Sequence, residues 1–247
     1  MRNTVAKRLV ALITISAMLL AVPGTALAQT EPVESTAVEI DRSGTFDQLK
    51  RRALEAIDER LDAIARWTER VEASEHLDAD HRARLLAELS ATTRGLKALA
   101  ADIEAATTFL ELGGLIPKIV EDYWVFAMLG PKVHLVIAAD VMAHISGRFE
   151  EVASSIQEAI DRIEEAGYDP SEAQAALDRM TAHLVAASAL IGPVPGTVLS
   201  IHPADMPEAG ADLRSAQAGL GSAAEELRAA HKAGHQAVEA IKDAIDR

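Results

Sequence analysis

Two properties of the chain after its first 44 residues restrict it to helices. Apolar residues recur at steps of three and four, and proline is absent from Val33 through Ile116. A helix has about 3.6 residues per turn, so these steps place the apolar side chains on one face. Proline would break such a helix, and its absence allows long uninterrupted ones. An aromatic content of only 3% and abundant Ala, Leu, Glu and Arg also favour helices. The sequence therefore predicts an all-α fold.

The spacing predicts two αα-hairpins of long antiparallel amphipathic helices and a C-terminal helix, in a coiled-coil-like helical bundle. Thr45, with Gln48 three residues later, fits a capping box, and Asp78 fits the N-cap of the second helix. The predicted segments are a signal peptide at 1–28, a flexible leader at 29–44, the first hairpin at 45–110, an apolar aromatic connector at 111–131, the second hairpin at 132–191, a Pro/Gly linker at 192–208 and a C-terminal helix at 209–247.

The apolar stripes of the first hairpin define its expected core. In the first helix the stripe consists of Leu54, Ile57, Leu61, Ile64, Thr68 and Val71. In the second helix it consists of Leu85, Leu89, Thr92, Leu96, Leu99, Ile103, Ala106 and Leu110.

The first 28 residues have the order of a secretory signal. Three basic residues precede the apolar run Leu9–Val22, and the small-residue sequence Ala26-Leu27-Ala28 follows it. Such a segment is removed on export, so we expect cleavage before Gln29. No later run of about 18 uninterrupted apolar residues is present, so no membrane span is expected in the mature chain. The sequence predicts export to the exterior, the periplasm or the cell envelope.

The charge balance, the lack of cysteine and the missing motifs exclude several classes of function. The 24 basic residues are outnumbered by 38 acidic ones, for a net charge of −14, so no nucleic-acid partner is expected. A cysteine count of 0 excludes disulfides, thiol catalysis and Cys-ligated metals. The sequence has no Gly-x-Ser-x-Gly, no His-Glu-x-x-His and no Walker loop. We predict a protein that is not an enzyme and uses no cofactor.

Segment 109–145 is the first candidate site, because it combines aromatic side chains with few charges. Tyr123, Trp124 and Phe126 either fill the core or form a ligand or partner surface. Within the same segment, Asp140 and His144 lie one helical turn apart. They either form a structural acid–imidazole pair or leave His144 facing water.

His231, His235 and Glu239 form the second candidate site, at positions i, i+4 and i+8 of the C-terminal helix. Two imidazoles one turn apart, with a carboxylate as third ligand, can bind a divalent metal such as Zn²⁺. In the alternative interpretation, His231 fills a weak position in the packing stripe while His235 and Glu239 are solvated.

The central block, which runs from Glu121-Asp122-Tyr123 through Pro131–Asp140, resembles that of exported all-helical proteins found largely in high-GC Gram-positive bacteria. The preceding hairpin and the closing helix are similar to those of the same proteins. The resemblance implies an exported helical protein, and it carries no active-site residues.

These patterns leave two functions open. The first is an exported, non-catalytic scaffold or partner-binding module of the cell envelope or exterior, acting through a protein partner or self-association. The alternative is a helical-bundle carrier that binds an apolar small molecule or lipid through segment 109–145.

Overall fold

The computed structural model describes residues 45–246, and all its regular elements in this range are helical. The predicted all-α helical bundle is therefore confirmed. The predicted signal peptide (1–28) and leader (29–44) lie outside the described residues. The elements are α1 (Phe46–Ala73), α2 (Ala79–Ala105), α3 (Phe109–Leu115), α4 (Lys118–Glu121), a π-helical turn (Val125–Leu129), α5 (Gly130–Glu165), α6 (Ser171–Ile191), α7 (Pro193–Leu199), a 3₁₀ turn (Pro203–Asp205) and α8 (Gly210–Asp246).

The described chain divides into two compact units. The N-terminal unit comprises residues 45–140 and 194–217, and the C-terminal unit comprises residues 141–193 and 218–246. Helices α5 and α8 each contribute residues to both units.

Helices α1 and α2 form the antiparallel hairpin of the N-terminal unit. At one end, Lys50 near the start of α1 donates hydrogen bonds to the carbonyl oxygens of Glu104 and Ala106. At the other end, Arg82 near the start of α2 donates to the carbonyl oxygens of Val71 and Glu72 at 2.9 and 2.8 Å. The helix ends are thus tied by side chains that satisfy otherwise unpaired carbonyl groups.

Both predicted helix starts of this hairpin are confirmed. The Thr45 N–H donates to Gln48 Oε1 at 3.0 Å, and the Gln48 N–H donates to Thr45 Oγ1 at 3.4 Å. This reciprocal pair is a capping box. Asp78 Oδ1 accepts from the N–H groups of Asp80 and His81 at 2.8 and 3.2 Å. The carboxylate therefore satisfies two free donors at the start of α2.

The core of the hairpin follows the predicted stripes only in part, and the predicted Thr68 and Thr92 are half-buried. In α1, Ile57 and Ile64 are buried as predicted, but Leu54 and Leu61 are only half-buried and Arg60 is buried instead. Helix α2 ends at Ala105, so the prediction that Leu110 extends its stripe is wrong. Leu110 lies in α3 and is 87% exposed.

The C-terminal unit is a three-helix arrangement of α5, α6 and α8. The apolar residues that recur at steps of three and four in its first two helices are buried, namely Phe149, Val152, Ile156, Ile160 and Ile163 in α5, and Leu177, Met180, Leu184, Ala187 and Ile191 in α6. Gly167, with φ of 85°, ends α5. Its N–H and that of Tyr168 donate to the carbonyl groups of Glu164 and Ile163 at 2.8 and 3.0 Å. This is a Schellman motif, which favours glycine.

Segment 192–208, predicted as a Pro/Gly linker, contains helix α7 and the 3₁₀ turn. Five of its side chains are buried: Val194, Pro195, Val198, Leu199 and Ile201. Proline is compatible with α7 because Pro193 and Pro195 lie in its first turn, where backbone N–H groups have no helical partner. The segment thus contributes to the core of the N-terminal unit.

Two helical stretches, Phe109–Glu165 and Ser171–Leu199, each contain an 18-residue window that is apolar enough to cross a membrane by length and composition. The sequence contains no uninterrupted apolar run of about 18 residues in either stretch, so the run-length criterion predicts no span there. In the first window 72% of the residues are buried inside the protein, against 39% in the second. Burial of this extent in the first window is typical of the core helix of a globular protein.

Candidate functional site

The largest exposed apolar side chains of the N-terminal unit lie next to each other at the start of α3. Phe109 is 57% exposed and Leu110 is 87% exposed. Leu110 also lines a groove of about 520 Å³, together with Asp102, Ala105, Ala106, Glu111, Gly114, Leu115 and Lys118. We call Phe109, Leu110 and this groove the α3 surface.

The start of α3 is held in place by its own capping residues. The Glu111 N–H donates to Thr108 Oγ1 at 3.2 Å, and Glu111 Oε2 accepts from the N–H groups of Thr107 and Thr108 at 2.8 and 3.1 Å. These bonds stabilise the carboxylate and hold the pKa of Glu111 below its usual value. Phe109 also packs edge-on against Phe46 of α1, with ring centroids 5.4 Å apart. The exposed pair is therefore presented on an ordered turn.

The predicted ligand or partner surface of Tyr123, Trp124 and Phe126 lies at the π-helical turn, and all three side chains are half-buried. Trp124 has φ of 43° and ψ of 41°, a left-handed conformation that is unfavourable for a bulky residue. The Tyr123 ring packs on α2 so closely that a Cβ on Gly95 would lie 2.6 Å from the phenol oxygen. Burial raises the pKa of Tyr123, and the charge of Asp122 adds to this effect.

Phe126 belongs to a cluster of rings around a buried cation. Its ring is 6.3 Å from that of Trp67, and Trp67 is 6.4 Å from His134, both in edge-to-face geometry. The guanidinium carbon of Arg60 lies 5.2 Å from the Phe126 centroid, within range of a cation–π interaction. We call Arg60, Trp67, Phe126 and His134 the aromatic cluster.

Arg60 is only 3% exposed and does not use all its donors. Nη1 donates to the Ala56 carbonyl at 2.7 Å. Among the buried side-chain nitrogen and oxygen atoms of residues 45–246, Arg60 Nε is the one that has no hydrogen-bond partner. Burial lowers the pKa of Arg60, and the nearby Glu59 carboxylate partly opposes this shift. The predicted stripe of α1 omits Arg60, although Arg60 lies three residues after Ile57 and four before Ile64, which is the spacing of a buried helix face.

Lys132 is a second buried cation, and its charge is fully compensated. Nζ donates to both carboxylate oxygens of Glu88, at 2.7 and 2.9 Å, and to the carbonyl of Ile201. These acceptors use the three donors of an ammonium group. Within 131–139, Lys132 is the single Lys, Arg, Asp or Glu, and His134 is the other polar residue of this apolar run, which is a sequence signal for a buried charge.

Asp140 does have a histidine partner, but it comes from α2. Asp140 Oδ2 lies 2.9 Å from Nδ1 of His81 and accepts from the Asp78 N–H at 2.8 Å. His144, the partner considered from the sequence, is exposed one turn further along α5. The carboxylate of Asp140 thus ties α5 to the first turn of α2.

The three predicted metal ligands separate into a pair and a single residue. Nε2 of His231 and Nε2 of His235 are 3.2 Å apart, with ring centroids 4.5 Å apart. No group of three or more His, Asp or Glu side chains within residues 45–246 has the arrangement needed to hold a metal ion. Glu239, which is exposed, therefore does not complete the predicted three-ligand site.

Comparison with protein-family models, curated proteins and solved structures gives no match for this chain.

Proposed function

We propose that this protein is an exported, non-catalytic helical module that binds a protein partner through the α3 surface. The observation that carries the proposal is the adjacent exposure of Phe109 (57%) and Leu110 (87%) on a capped turn. Exposed apolar side chains on an ordered element beside a groove are typical of interaction sites.

The chemistry of the partner follows from the charges around the groove. Asp102 and Glu111 line it against a single cation, Lys118, on a chain with a net charge of −14. An amphipathic helix with basic residues beside its apolar stripe would place apolar side chains in the groove and positive charge near the carboxylates. We therefore take such a helix as the occupant.

Two designed peptides of equal length test this proposal by fluorescence anisotropy: an amphipathic Leu/Lys helix and its Leu/Glu counterpart. We expect the Leu/Lys peptide to bind the native protein at least tenfold more tightly than the Leu/Glu peptide. Leu110→Asp should weaken binding of the Leu/Lys peptide at least tenfold. The substitution removes apolar contact and places a carboxylate against the leucine face of the peptide, where it loses water.

Val185→Asp is the matched control, since Val185 is 66% exposed but belongs to the C-terminal unit. It should leave peptide binding unchanged. Equal weakening by both substitutions would indicate nonspecific attraction and contradict the proposal. The native protein could instead form a dimer that Leu110→Asp dissociates. That result would contradict a foreign partner and would show that the α3 surface binds a second copy of this chain.

Export is a separate part of the proposal and rests on the sequence of residues 1–28. N-terminal sequencing of the secreted protein should begin at or within about two residues of Gln29, as signal cleavage requires. Full-length protein that retains Met1 in the cytoplasm would contradict export.

The carrier function is the second candidate, and the aromatic cluster is the observation that favours it. An unused Arg60 Nε donor beside Phe126 offers one polar contact next to apolar rings. In a Trp124→Phe background, Trp67 of the aromatic cluster is the single tryptophan, and its emission can be followed during a titration with oleate. A saturable blue shift would support the carrier. Unchanged emission is the result expected of a partner-binding module.

A further inference from the structure

We propose that His231 and His235 form a two-imidazole site for a late first-row divalent transition metal ion, with Cu²⁺ as the preferred ion. This site lies in the C-terminal unit and is independent of the α3 surface. It differs from the site predicted from the sequence, because it has two protein ligands instead of three.

The distance between the two nitrogen atoms fits a shared ion. Zn–N bonds are about 2.0–2.1 Å long, and two nitrogens bound at that length and 3.2 Å apart subtend an angle of about 100° at the metal. This angle lies between the values for octahedral and tetrahedral coordination. In the metal-free protein the two nitrogens share a hydrogen bond between edge-to-face rings, so an ion would displace the proton between them and the rings would turn to direct both lone pairs at it.

The two histidines differ in how firmly they are held. His231 is half-buried, and its ring stacks on the buried Phe149 ring with centroids 6.0 Å apart and planes 27° apart. Both residues lie within the continuous helix α8, where Gly234 allows close contact with Met180 of α6. His235 is exposed, so water can reach the remaining coordination positions. One ligand is thus positioned by packing and the other is open to solvent.

The ligand type determines which ions would bind. Neutral imidazole suits Cu²⁺, Ni²⁺ and Zn²⁺, whereas Mg²⁺ and Ca²⁺ prefer oxygen ligands. For a given nitrogen site the affinity rises to a maximum at Cu²⁺ along the first-row series. Imidazole nitrogens and water oxygens are common ligands of Cu²⁺. Among residues 45–246 no third protein ligand is present, so water would fill the other coordination positions.

Titration of the metal-free protein with Cu²⁺ tests the proposal, provided that the preparation carries no polyhistidine tag. We expect the native protein to bind one equivalent at the site at least tenfold more tightly than His235→Gln binds Cu²⁺. Electron paramagnetic resonance of the native complex should show hyperfine coupling to two imidazole nitrogens. Because His235 is exposed, the helical circular dichroism of His235→Gln should match that of the native protein.

Two control variants separate this site from other copper binding. His144→Gln removes an exposed histidine of α5, and Glu239→Gln removes the third ligand predicted from the sequence. Both should bind Cu²⁺ as the native protein does. Native-like affinity in His235→Gln would overturn the proposal. A loss of Cu²⁺ affinity in Glu239→Gln as large as that in His235→Gln would show that Glu239 is a third ligand, and would overturn the two-ligand assignment.

Discussion

Lys132 and Arg60 are both buried cations of the N-terminal unit, but their surroundings differ in kind. Lys132 has a carboxylate partner and a carbonyl acceptor for its three donors. Arg60 has a carbonyl acceptor and an aromatic ring, and one of its donors is unused. An unpaired buried charge is strongly destabilising. Lys132 is therefore stabilised by its carboxylate partner, whereas Arg60 is stabilised by one carbonyl acceptor and an aromatic ring.

Glu88→Ala tests the role of the Lys132 partner. We expect it to lower the free energy of unfolding by about 3 kcal/mol, because it leaves a buried ammonium without its counter-charge. The double variant Lys132→Met/Glu88→Leu should recover most of this loss, since it removes both charges and retains apolar packing. Urea denaturation at neutral pH measures both.

Glu151→Ala is the matched control for Glu88→Ala, since it breaks the exposed pair with Arg148 at 2.8 Å. An exposed ion pair contributes at most about 1 kcal/mol. Equal losses in Glu88→Ala and Glu151→Ala would show that the Lys132 contact has no special role in stability.

Two glycine substitutions should have effects of opposite sign. A Cβ on Gly130 would lie 2.6 and 2.8 Å from the Cζ2 and Cη2 atoms of Trp67, whereas a Cβ on Gly221 meets nothing within 4 Å. Gly130→Ala should therefore destabilise the protein by about 1–3 kcal/mol and change tryptophan emission. Gly221→Ala, within α8, should stabilise it by up to about 1 kcal/mol. Stabilisation by both variants would contradict the close packing of Trp67.

At the scale of helices, caps determine where each one begins and which residues it exposes. Ala106 ends α2 with a backbone that leaves the helical region, and Thr108 begins α3 two residues later. This break turns Leu110 away from the stripe of α2 and exposes it. The α3 surface is thus a consequence of a helix boundary.

The Asp78 cap should make stability depend on acid pH. Backbone N–H groups of His81 and Asp80, in that order of effect, hold the pKa of Asp78 below its usual value in the folded protein. A group with a lowered folded pKa contributes its stability above the unfolded pKa of about 3.9, and this contribution is lost as the pH falls through the folded pKa. The urea midpoint should therefore fall across this range.

Asp78→Asn separates the titration from the cap, because asparagine still accepts the backbone hydrogen bonds but has no acidic proton. Its urea midpoint should fall less steeply below about pH 4 than that of the native protein. Identical acid profiles would mean that other carboxylates account for the entire dependence.

At the scale of the whole molecule, helices α5 and α8 run through both compact units without interruption. Unfolding of one unit would leave part of each helix without its packing partners, and an isolated helix is marginally stable in water. We therefore expect the two units to unfold together.

Two spectroscopic probes test this expectation. Trp67 and Trp124 both belong to the N-terminal unit, whereas circular dichroism at 222 nm reports helices of both. The two urea transitions should coincide. Leu184→Ala, at a buried site of the C-terminal unit, should lower stability by about 2–5 kcal/mol and shift both transitions equally. A shift confined to circular dichroism would show that the units unfold separately.

The sequence by itself determined the local structure of this protein. Caps such as Thr45 and Asp78, stop signals such as Gly167, and the stripes of the second hairpin depend on residues within a few positions of one another. Such short-range spacing specifies where a helix begins and ends and which face is apolar. For the same reason the all-α class followed from the pattern alone.

Only the tertiary structure decided which residues meet across helices. Asp140 contacts His81 of α2, and Lys132 contacts Glu88, because the rotation and register of packed helices set these partners. A periodic apolar stripe permits several registers, so it leaves such pairs undetermined. The same applies to the sites. The sequence placed His231 and His235 one turn apart, but only the packing of His231 on Phe149 and the 3.2 Å approach of the imidazoles made them a pair.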